Sequence, residues 1–326
     1  MTLHVLLWMV SLMDFPITHV MDEAACYAQL LRWLHPDGLR CPRCHKGEAW
    51  VHRYHREPVL DYRCKPCGKV YNAFTGTAFQ KTHRRPSELI LILRGIATAV
   101  PTARMARELG CSRPHLLELR HRLQANALER RDKTPLSDDA VEADEMYKNA
   151  GEKGKEHPDP NDPPRRRGNK GQGHGTWDSD RPPLLGAVGR RSKKLRLKLA
   201  KRMWAAALIG FVKTSTVLGS LIYTDAWGAY AGLPAEGRKH VPVSHSGPHT
   251  TWAKDLDGDG IREAHINTME GIWTGVRIFL APFRGVSKWY LEQYAAVFEW
   301  VYNTKQVAGG FIRALVGTPM LTNSGT

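Results

Sequence analysis

The chain has 326 residues, 42% of them hydrophobic, and its formal net charge at pH 7 is +15. This length and apolar content are typical of a globular protein with room for two or three domains, and they exclude a wholly disordered chain. The strongly positive balance makes an enzyme unrelated to nucleic acid the least favoured interpretation.

The positive charge is concentrated in two regions. Residues 81–131 contain 11 Lys and Arg against 4 acidic residues, and residues 148–201 contain 15 against 6, so their net charges are +7 and +9. All other segments together have a net charge of −1. Two separate basic regions predict two contacts with a polyanion, for which nucleic acid is the default candidate. The alternative is that the basic residues only keep the chain soluble.

We expect neither a membrane span nor a disulfide framework. The longest mainly apolar stretch, Leu3–Met13, has 11 residues, whereas a membrane-spanning helix needs about 20. Four of the six cysteines form two Cys-x-x-Cys pairs. This usage indicates metal binding in a reducing compartment.

Residues 14–80 predict a zinc ribbon with a leading helix. The pairs Cys41–Cys44 and Cys64–Cys67 are separated by 19 residues that read as two strands around a turn. Two such knuckles supply four sulfur ligands in the tetrahedral arrangement that Zn²⁺ prefers. A site closed by four thiolates is structural, so we expect this zinc to stabilise the fold. A redox pair or accidental spacing are the alternatives.

Residues 81–131 predict a helical DNA-binding region. Small residues in one helix, a turn at Gly110 and a basic second helix capped by Ser112 are the pattern of a helix-turn-helix. The alternative is a helical hairpin with a solvated basic face. The candidate DNA contacts of this region are Arg113, His115 and Arg120.

A polar linker, residues 132–140, leads into a domain that spans residues 141–305. Its order of strand, hairpin, helix, strand and a late helix with an acidic residue is that of a ribonuclease-H-like domain. The insert at residues 148–182 is basic and rich in Gly and Pro, and could settle on a phosphate backbone. A tail follows at residues 306–326. The insert's candidate DNA contacts are Arg165, Arg166 and Arg167.

Acidic residues at the ends of two predicted strands could converge on metal ions. The run VEADEMY offers Glu142, Asp144 and Glu145, and strand alternation places the first two on one face and Glu145 on the other. The run SLIYTDAWGAY places Asp225 at the end of a strand, where a turn-capping role is the alternative.

The third acidic position lies in HINTMEGIWTGVR. Glu270 and Arg277 are seven residues apart, so they project from one helix face, and taken alone they are an ordinary surface ion pair. Together with two strand-end acids, Glu270 could complete a site for two Mg²⁺ ions and phosphodiester chemistry.

The order of these parts resembles DDE-type bacterial transposases of the insertion-sequence fifteen-ninety-five family, over roughly residues 22 to 305. The resemblance rests on the zinc ribbon, the helix-turn-helix, VEADEMY, the basic insert, YTDAWGAY, HINTMEGIWTGVR and YAAVFEWVYN. It implies a multidomain α+β protein whose C-terminal ribonuclease-H-like α/β domain has a mixed sheet. It assigns catalysis and Mg²⁺ or Mn²⁺ binding to Asp144, Asp225 and Glu270. Arg277 stands where the family usually has Lys.

The resemblance also implies an activity and partners. The enzyme would cut DNA at transposon ends and transfer the 3′-OH into target DNA, acting on terminal inverted repeats as a homo-oligomer. The location would be the cytoplasm of a bacterium, in association with the nucleoid. The alternatives are a non-catalytic DNA-binding regulator and another ribonuclease-H-like nuclease.

Overall fold

The structure is a computed structural model that describes residues 22–152, 172–244, 253–304 and 309–317. The chain divides into two compact units, one formed by residues 1–131 with 304–326 and the other by residues 132–303. Most of the basic insert, with Arg165, Arg166 and Arg167, lies outside the described residues. No helix in the described part of the chain is long and apolar enough to cross a membrane.

The elements are numbered in chain order within the described residues. The helices are α1 (Glu23–Leu34), α2 (Pro86–Ala97), α3 (Thr102–Glu108), α4 (Arg113–Glu129), α5 (Ala205–Ser215), α6 (Asn267–Leu280), α7 (Lys288–Thr304) and α8 (Gly309–Val316). The strands are β1 (Ala49–Arg53), β2 (Asp61–Cys64), β3 (Val70–Tyr71), β4 (Ala140–Tyr147), β5 (Pro183–Gly189), β6 (Leu195–Leu199), β7 (Leu221–Asp225) and β8 (Lys239–Val243).

The first unit combines a small antiparallel sheet, ordered β1-β2-β3, with helices. Helix α1 begins after Asp22, whose carboxylate accepts the backbone N–H groups of Ala24 and Ala25 and so caps the helix. Helix α8 packs against α4 and α1, and the side-chain amide of Asn126 donates to the Leu315 carbonyl at 3.0 Å. The helices α2, α3 and α4 are close to the segments predicted from the sequence.

The second unit is built on a five-stranded sheet ordered β6-β5-β4-β7-β8. Strand β5 runs antiparallel to both of its neighbours, β4 and β6, while β4, β7 and β8 run parallel to one another. An antiparallel meander followed by parallel strands beside the first strand is the ribonuclease-H-like topology. The predicted fold class, with its mixed sheet, is confirmed.

Central strand β4 presents its alternate residues to different helices. Val141 and Ala143 are buried in a core cluster with Leu208, Phe211 and Val212 of α5. On the opposite face, Glu142 and Asp144 accept hydrogen bonds from α6. The two faces follow from the period-2 alternation of a strand, and the face toward α6 carries the acids Glu142 and Asp144.

Helix α7 covers the edge strand of the sheet and anchors the flanks of the insert. Its Glu299 carboxylate accepts the backbone N–H of Leu197 in β6 at 2.9 Å. At its first residue, the buried Lys288 ammonium lies 2.7 Å from Glu152 and 3.1 Å from Asp180. These two buried acids lie near the first and the last residues of the insert, so one ammonium group joins its two ends.

Candidate functional site

The first candidate site is the cysteine cluster of the small sheet. Cys41 and Cys67 have their sulfur atoms 3.5 Å apart, those of Cys44 and Cys64 are 3.4 Å apart, and all four lie within 4.8 Å of one another. Four sulfurs around one zinc with bonds of about 2.3 Å would be about 3.8 Å apart, so the cluster fits a tetrahedral zinc.

Both cysteine knuckles close in the same way. The residue after each pair has a left-handed backbone, with φ of 58° at His45 and 69° at Gly68. This conformation turns the chain back so that the N–H of His45 donates to the carbonyl of Cys41 and that of Gly68 to the carbonyl of Cys64. The matching turns place the two thiols of each pair on the same centre.

The second candidate site lies at the carboxyl ends of two parallel strands. Asp144 is near the end of β4 and Asp225 is the last residue of the neighbouring β7. Carboxylate oxygens of Asp144, Glu145 and Asp225 lie within 4.8 Å of one another. Strand ends that run in the same direction meet at one edge of the sheet, which is why Asp144 and Asp225, 81 positions apart, converge there.

Asp144 is held by the helix that crosses the sheet. The indole N–H of Trp273 in α6 donates to its Oδ2 at 2.8 Å. Asp144 is paired in register with Gly186 of β5, and a Cβ on Gly186 would lie only 2.7 Å from the Trp273 ring. The missing side chain at Gly186 therefore lets the indole reach the carboxylate.

Burial and like charges make ionisation of these acids unfavourable. Burial raises the pKa of Asp144 to about 7, opposed by the Trp273 hydrogen bond and supported by the charges of Asp225 and Glu270. Burial, with repulsion from Asp144, raises the pKa of Glu145 to about 8. Acids that resist ionisation in isolation are typical of a site that a cation completes.

The three acids of VEADEMY have different surroundings. Asp144 faces α6, whereas the Glu145 carboxylate accepts a hydrogen bond at 2.8 Å from Tyr230, on the face that α5 covers. Glu142 also faces α6, but its fully buried carboxylate contacts Arg190 and the beginning of that helix. The Glu145 carboxylate nevertheless lies within 4.8 Å of those of Asp144 and Asp225.

Helix α6 contributes Glu270 and Arg277 to the rim of a cavity of about 620 Å³. Both side chains are exposed, as their positions on one helix face predict. The group of close carboxylates in the described residues does not include Glu270, although its charge helps to raise the pKa of Asp144. The cavity is lined by Asp144, Glu145, Tyr147, His174, Arg181, Glu270, Trp273 and Arg277, among others.

Several residues of this cavity were not identified from the sequence. The imidazole of His174 is hydrogen-bonded to the Tyr147 hydroxyl at 2.8 Å, and Arg181 donates to the Gly173 carbonyl and to Asn149. His174 and Arg181 lie in the last part of the insert, where the sequence signal is only a general positive charge. Trp273, in contrast, lies between Glu270 and Arg277 and belongs to their motif.

The predicted DNA contacts of the helical region differ in their exposure to solvent. Arg113 and His115 are exposed at the beginning of α4, so their side chains are accessible to a ligand. Arg120 is only 1% exposed and donates a hydrogen bond to the carbonyl of Val100. The prediction that Arg120 contacts DNA is therefore wrong: this turn of α4 faces the core, and the guanidinium ties α4 to the segment that precedes α3.

Fold and sites together define a ribonuclease-H-like protein that carries a zinc ribbon. The family model described as the ISXO2-like transposase domain matches residues 135–303, and that of the transposase zinc-ribbon domain matches residues 21–70. The chain belongs to the ISXO2-like transposases of the insertion-sequence fifteen-ninety-five family, which confirms the resemblance drawn from its motifs. The ribbon match and the four-cysteine cluster support the predicted structural zinc.

Individual relatives agree with this family. A Halobacterium salinarum protein named "Uncharacterized protein in transposable element ISH50" is 28% identical over 291 residues, covering 87% of this chain and 92% of the relative. A Haemophilus influenzae "Uncharacterized transposase-like protein" is 24% identical over 103 residues, covering 32% of this chain and 76% of the relative.

Among solved structures, the pre-cleavage Mos1 transpososome is similar over 73% of this chain and 79% of its own, with 14% identity and a TM-score of 0.27. The Mos1 strand transfer complex covers 66% of this chain and 74% of its own, with 13% identity and a TM-score of 0.22. Because these scores are below 0.5, the fold assignment depends on the sheet topology and the family model.

Proposed function

We propose that this chain is a DDE-type phosphoryl transferase that cuts DNA at transposon ends and joins the resulting 3′-OH to target DNA. The observation that carries the proposal is the convergence of Asp144 and Asp225 at one sheet edge, with Glu270 on the rim of the cavity that Asp144 lines. Carboxylates on a rigid sheet suit the hard oxygen coordination that Mg²⁺ or Mn²⁺ requires.

Asp144, Asp225 and Glu270 would hold the catalytic ions. When bound there, two Mg²⁺ ions supply activation of the attacking oxygen and stabilisation of the leaving oxygen in an in-line displacement. Trp273 orients Asp144 through the bond to its Oδ2, and the apolar face of β4 behind the site keeps the strand rigid. Glu145, held by Tyr230, is close enough to serve as a further carboxylate.

The basic side of the cavity would bind the phosphate backbone of the cleaved strand. Arg277 and Arg181 both line the cavity. Lys148 lies near Arg277, and its pKa is lowered by burial and by the charge of Arg277. Guanidinium groups present paired donors that match phosphate oxygens. The lining of the cavity thus includes both carboxylates for metal ions and guanidinium groups for phosphate.

The first unit would bring the enzyme to its DNA. Arg113 and His115, exposed at the beginning of α4, would contact the terminal inverted repeat, while the ribbon and the basic insert would add affinity for the phosphate backbone. Two transposon ends must be joined to one target, so the active form would be a homo-oligomer on DNA. A location in the bacterial cytoplasm, with the nucleoid, follows from this substrate.

The test is strand cleavage and transfer on a labelled duplex that carries the element's own end, with Mg²⁺ or Mn²⁺. Wild type is compared with Glu270→Ala and with Asp259→Ala, which removes an exposed acid outside the cavity. We expect metal-dependent cutting and joining in wild type and Asp259→Ala, and neither in Glu270→Ala, with end binding retained in all three.

The other outcomes separate the alternatives. Equal activity in Glu270→Ala would remove this residue from the site. Cleavage without joining would favour a nuclease, and end binding without cleavage under either metal would favour the regulator.

A further inference from the structure

Helix α6 begins without a capping side chain of its own. Its N-cap residue is Ile266, which makes no side-chain hydrogen bond to the helix and has no polar atom to do so. The first backbone N–H groups of any helix lack partners inside it, and Ser, Thr, Asp or Asn at the N-cap usually satisfy them. The sequence around Ile266 therefore leaves the start of this helix dependent on another part of the chain.

The missing cap comes from the central strand. Oε2 of Glu142 accepts the backbone N–H groups of Thr268 at 2.8 Å and Met269 at 3.1 Å, and Oε1 accepts the Thr268 hydroxyl at 2.9 Å. These are the N–H groups that an N-cap carboxylate would bind, and a negative charge at this end also matches the helix dipole. A residue 126 positions earlier in the chain caps the helix.

Arg190 holds the capping carboxylate in place. Its Nε lies 2.9 Å from Oε1 of the fully buried Glu142, and its guanidinium stacks 4.0 Å from the centre of the Tyr223 ring. The same guanidinium donates to the backbone carbonyls of Glu263 and His265, in the segment that leads into α6. One arginine thus joins the strand, the carboxylate and the approach to the helix.

The cap controls where Glu270 stands. The N–H of Glu270 bonds to the Ile266 carbonyl at 3.1 Å, so Glu270 closes the first turn of the helix that Glu142 caps. Glu142 also precedes Asp144 by two residues on the same face of β4. Glu142 therefore joins the start of the helix that carries Glu270 to the strand that carries Asp144, in addition to the hydrogen bond from Trp273 to Asp144.

We propose that Glu142 is a positioning residue, which holds Glu270 in register with Asp144 so that both acids bind the same metal site. This inference rests on the proposed function, in which Glu270 is a metal ligand. Residues that orient metal ligands typically change metal affinity or activity by about 10- to 100-fold when replaced.

The test measures Mn²⁺ binding directly, by electron paramagnetic resonance of the full-length, zinc-loaded protein without DNA. Binding that remains in Asp144→Ala defines the background. We expect Glu142→Gln to raise the dissociation constant for Mn²⁺ by about 10- to 100-fold. The reason is that the glutamine amide would present donors to groups that are themselves donors.

Glu299→Gln is the matched control. Glu299 is likewise a buried glutamate that accepts a backbone N–H, but it serves the edge strand β6. We expect its Mn²⁺ affinity to equal that of wild type. A general loss of stability from removing a buried charge would affect both variants, whereas a positioning effect would appear only in Glu142→Gln.

A double variant tests whether Glu142 acts through Glu270. Adding Glu142→Gln to Glu270→Ala should not weaken Mn²⁺ binding further, because the residue being positioned is already absent. Wild-type affinity in a folded Glu142→Gln protein, or additive losses in the double variant, would overturn the inference while leaving the proposed function intact. Absence of Mn²⁺ binding in wild type would overturn both.

Thr268→Val provides the answer if Glu142→Gln does not fold. It keeps the side-chain shape and the backbone cap but removes the hydroxyl that donates to Glu142. We expect a rise of about twofold to tenfold in the dissociation constant, the effect of one hydrogen bond. An unchanged constant would contradict the positioning role.

Discussion

Replacing Asp144 by Asn should stabilise the metal-free protein, increasingly so as the pH rises. Burial raises the pKa of Asp144 from an ordinary 3.8 to about 7, so the folded chain keeps this proton over a range in which the unfolded chain has lost it. The free energy of unfolding of the wild type therefore falls with rising pH until the folded carboxyl is also ionised. Asparagine does not titrate, and its carbonyl oxygen can still accept the Trp273 hydrogen bond.

The magnitude follows from the two pKa values. A difference of this size corresponds to about 4 kcal/mol in total, of which about 2 kcal/mol is lost between pH 5.5 and pH 8.5. We expect the stability of Asp144→Asn relative to wild type to increase by about this amount over that interval. Adding Mg²⁺ at pH 8 should reduce the difference, because the ion binds the ionised wild-type site and stabilises it.

The assay is urea denaturation of the full-length, zinc-loaded proteins in magnesium-free buffers across this pH interval, followed by circular dichroism. Asp138→Asn is the control with the opposite sign. Burial alone would raise the pKa of Asp138, but hydrogen bonds from Ser192 and Arg191 outweigh it and the pKa lies below the ordinary value. Its removal should destabilise the protein throughout the interval. A pH-independent difference between Asp144→Asn and wild type would refute the reasoning.

Four further changes test other parts of the molecule. Cys44→Ser should lower the zinc content from about one ion per chain towards none, because three thiolates no longer close the tetrahedron. Metal analysis should show this loss, and calorimetry should show a lower thermal midpoint. Full zinc retention would contradict the assignment. Arg113→Ala should weaken binding to the transposon end by about 1–3 kcal/mol in fluorescence anisotropy without changing the melting temperature, if it reads a base. Arg120→Met should instead lower the melting temperature and leave the affinity of the folded protein for the transposon end unchanged, since Arg120 is buried. Weaker DNA binding at an unchanged melting temperature would show that Arg120 contacts DNA. Arg277→Gln should slow cleavage at saturating DNA by about 100-fold with little loss of binding, and an unchanged rate would exclude a role in stabilising the reacting phosphate.

Features with short sequence spacing could be predicted without the structure. The knuckles of the ribbon are each four residues long, and the two cysteines of a knuckle are close because they lie on one tight turn. Glu270 and Arg277 face the same cavity because helix geometry places residues seven apart on one side. Alternation along β4 likewise separates Glu145 from Glu142 and Asp144 before any contact is known.

The roles of individual residues within these patterns depended on long-range packing. Glu142 and Asp144 are both acids on the same face of β4, yet their roles differ. Glu142 caps α6 because the helix begins beside it, whereas Asp144 lies close to Glu145 and Asp225. Arg120 belongs to a basic helix and reads as a DNA contact until the packing of α4 shows it buried. His174 and Arg181 line the cavity only because the last part of the insert returns to the end of β4.

The sequence alone determined the family, the zinc ligands and the acidic motifs, since each of these is a pattern of residue types over a few turns of chain. The tertiary structure decided which acids converge and which side chains are buried. These depend on contacts between residues 20 to 129 positions apart, where neither helical nor strand periodicity carries information.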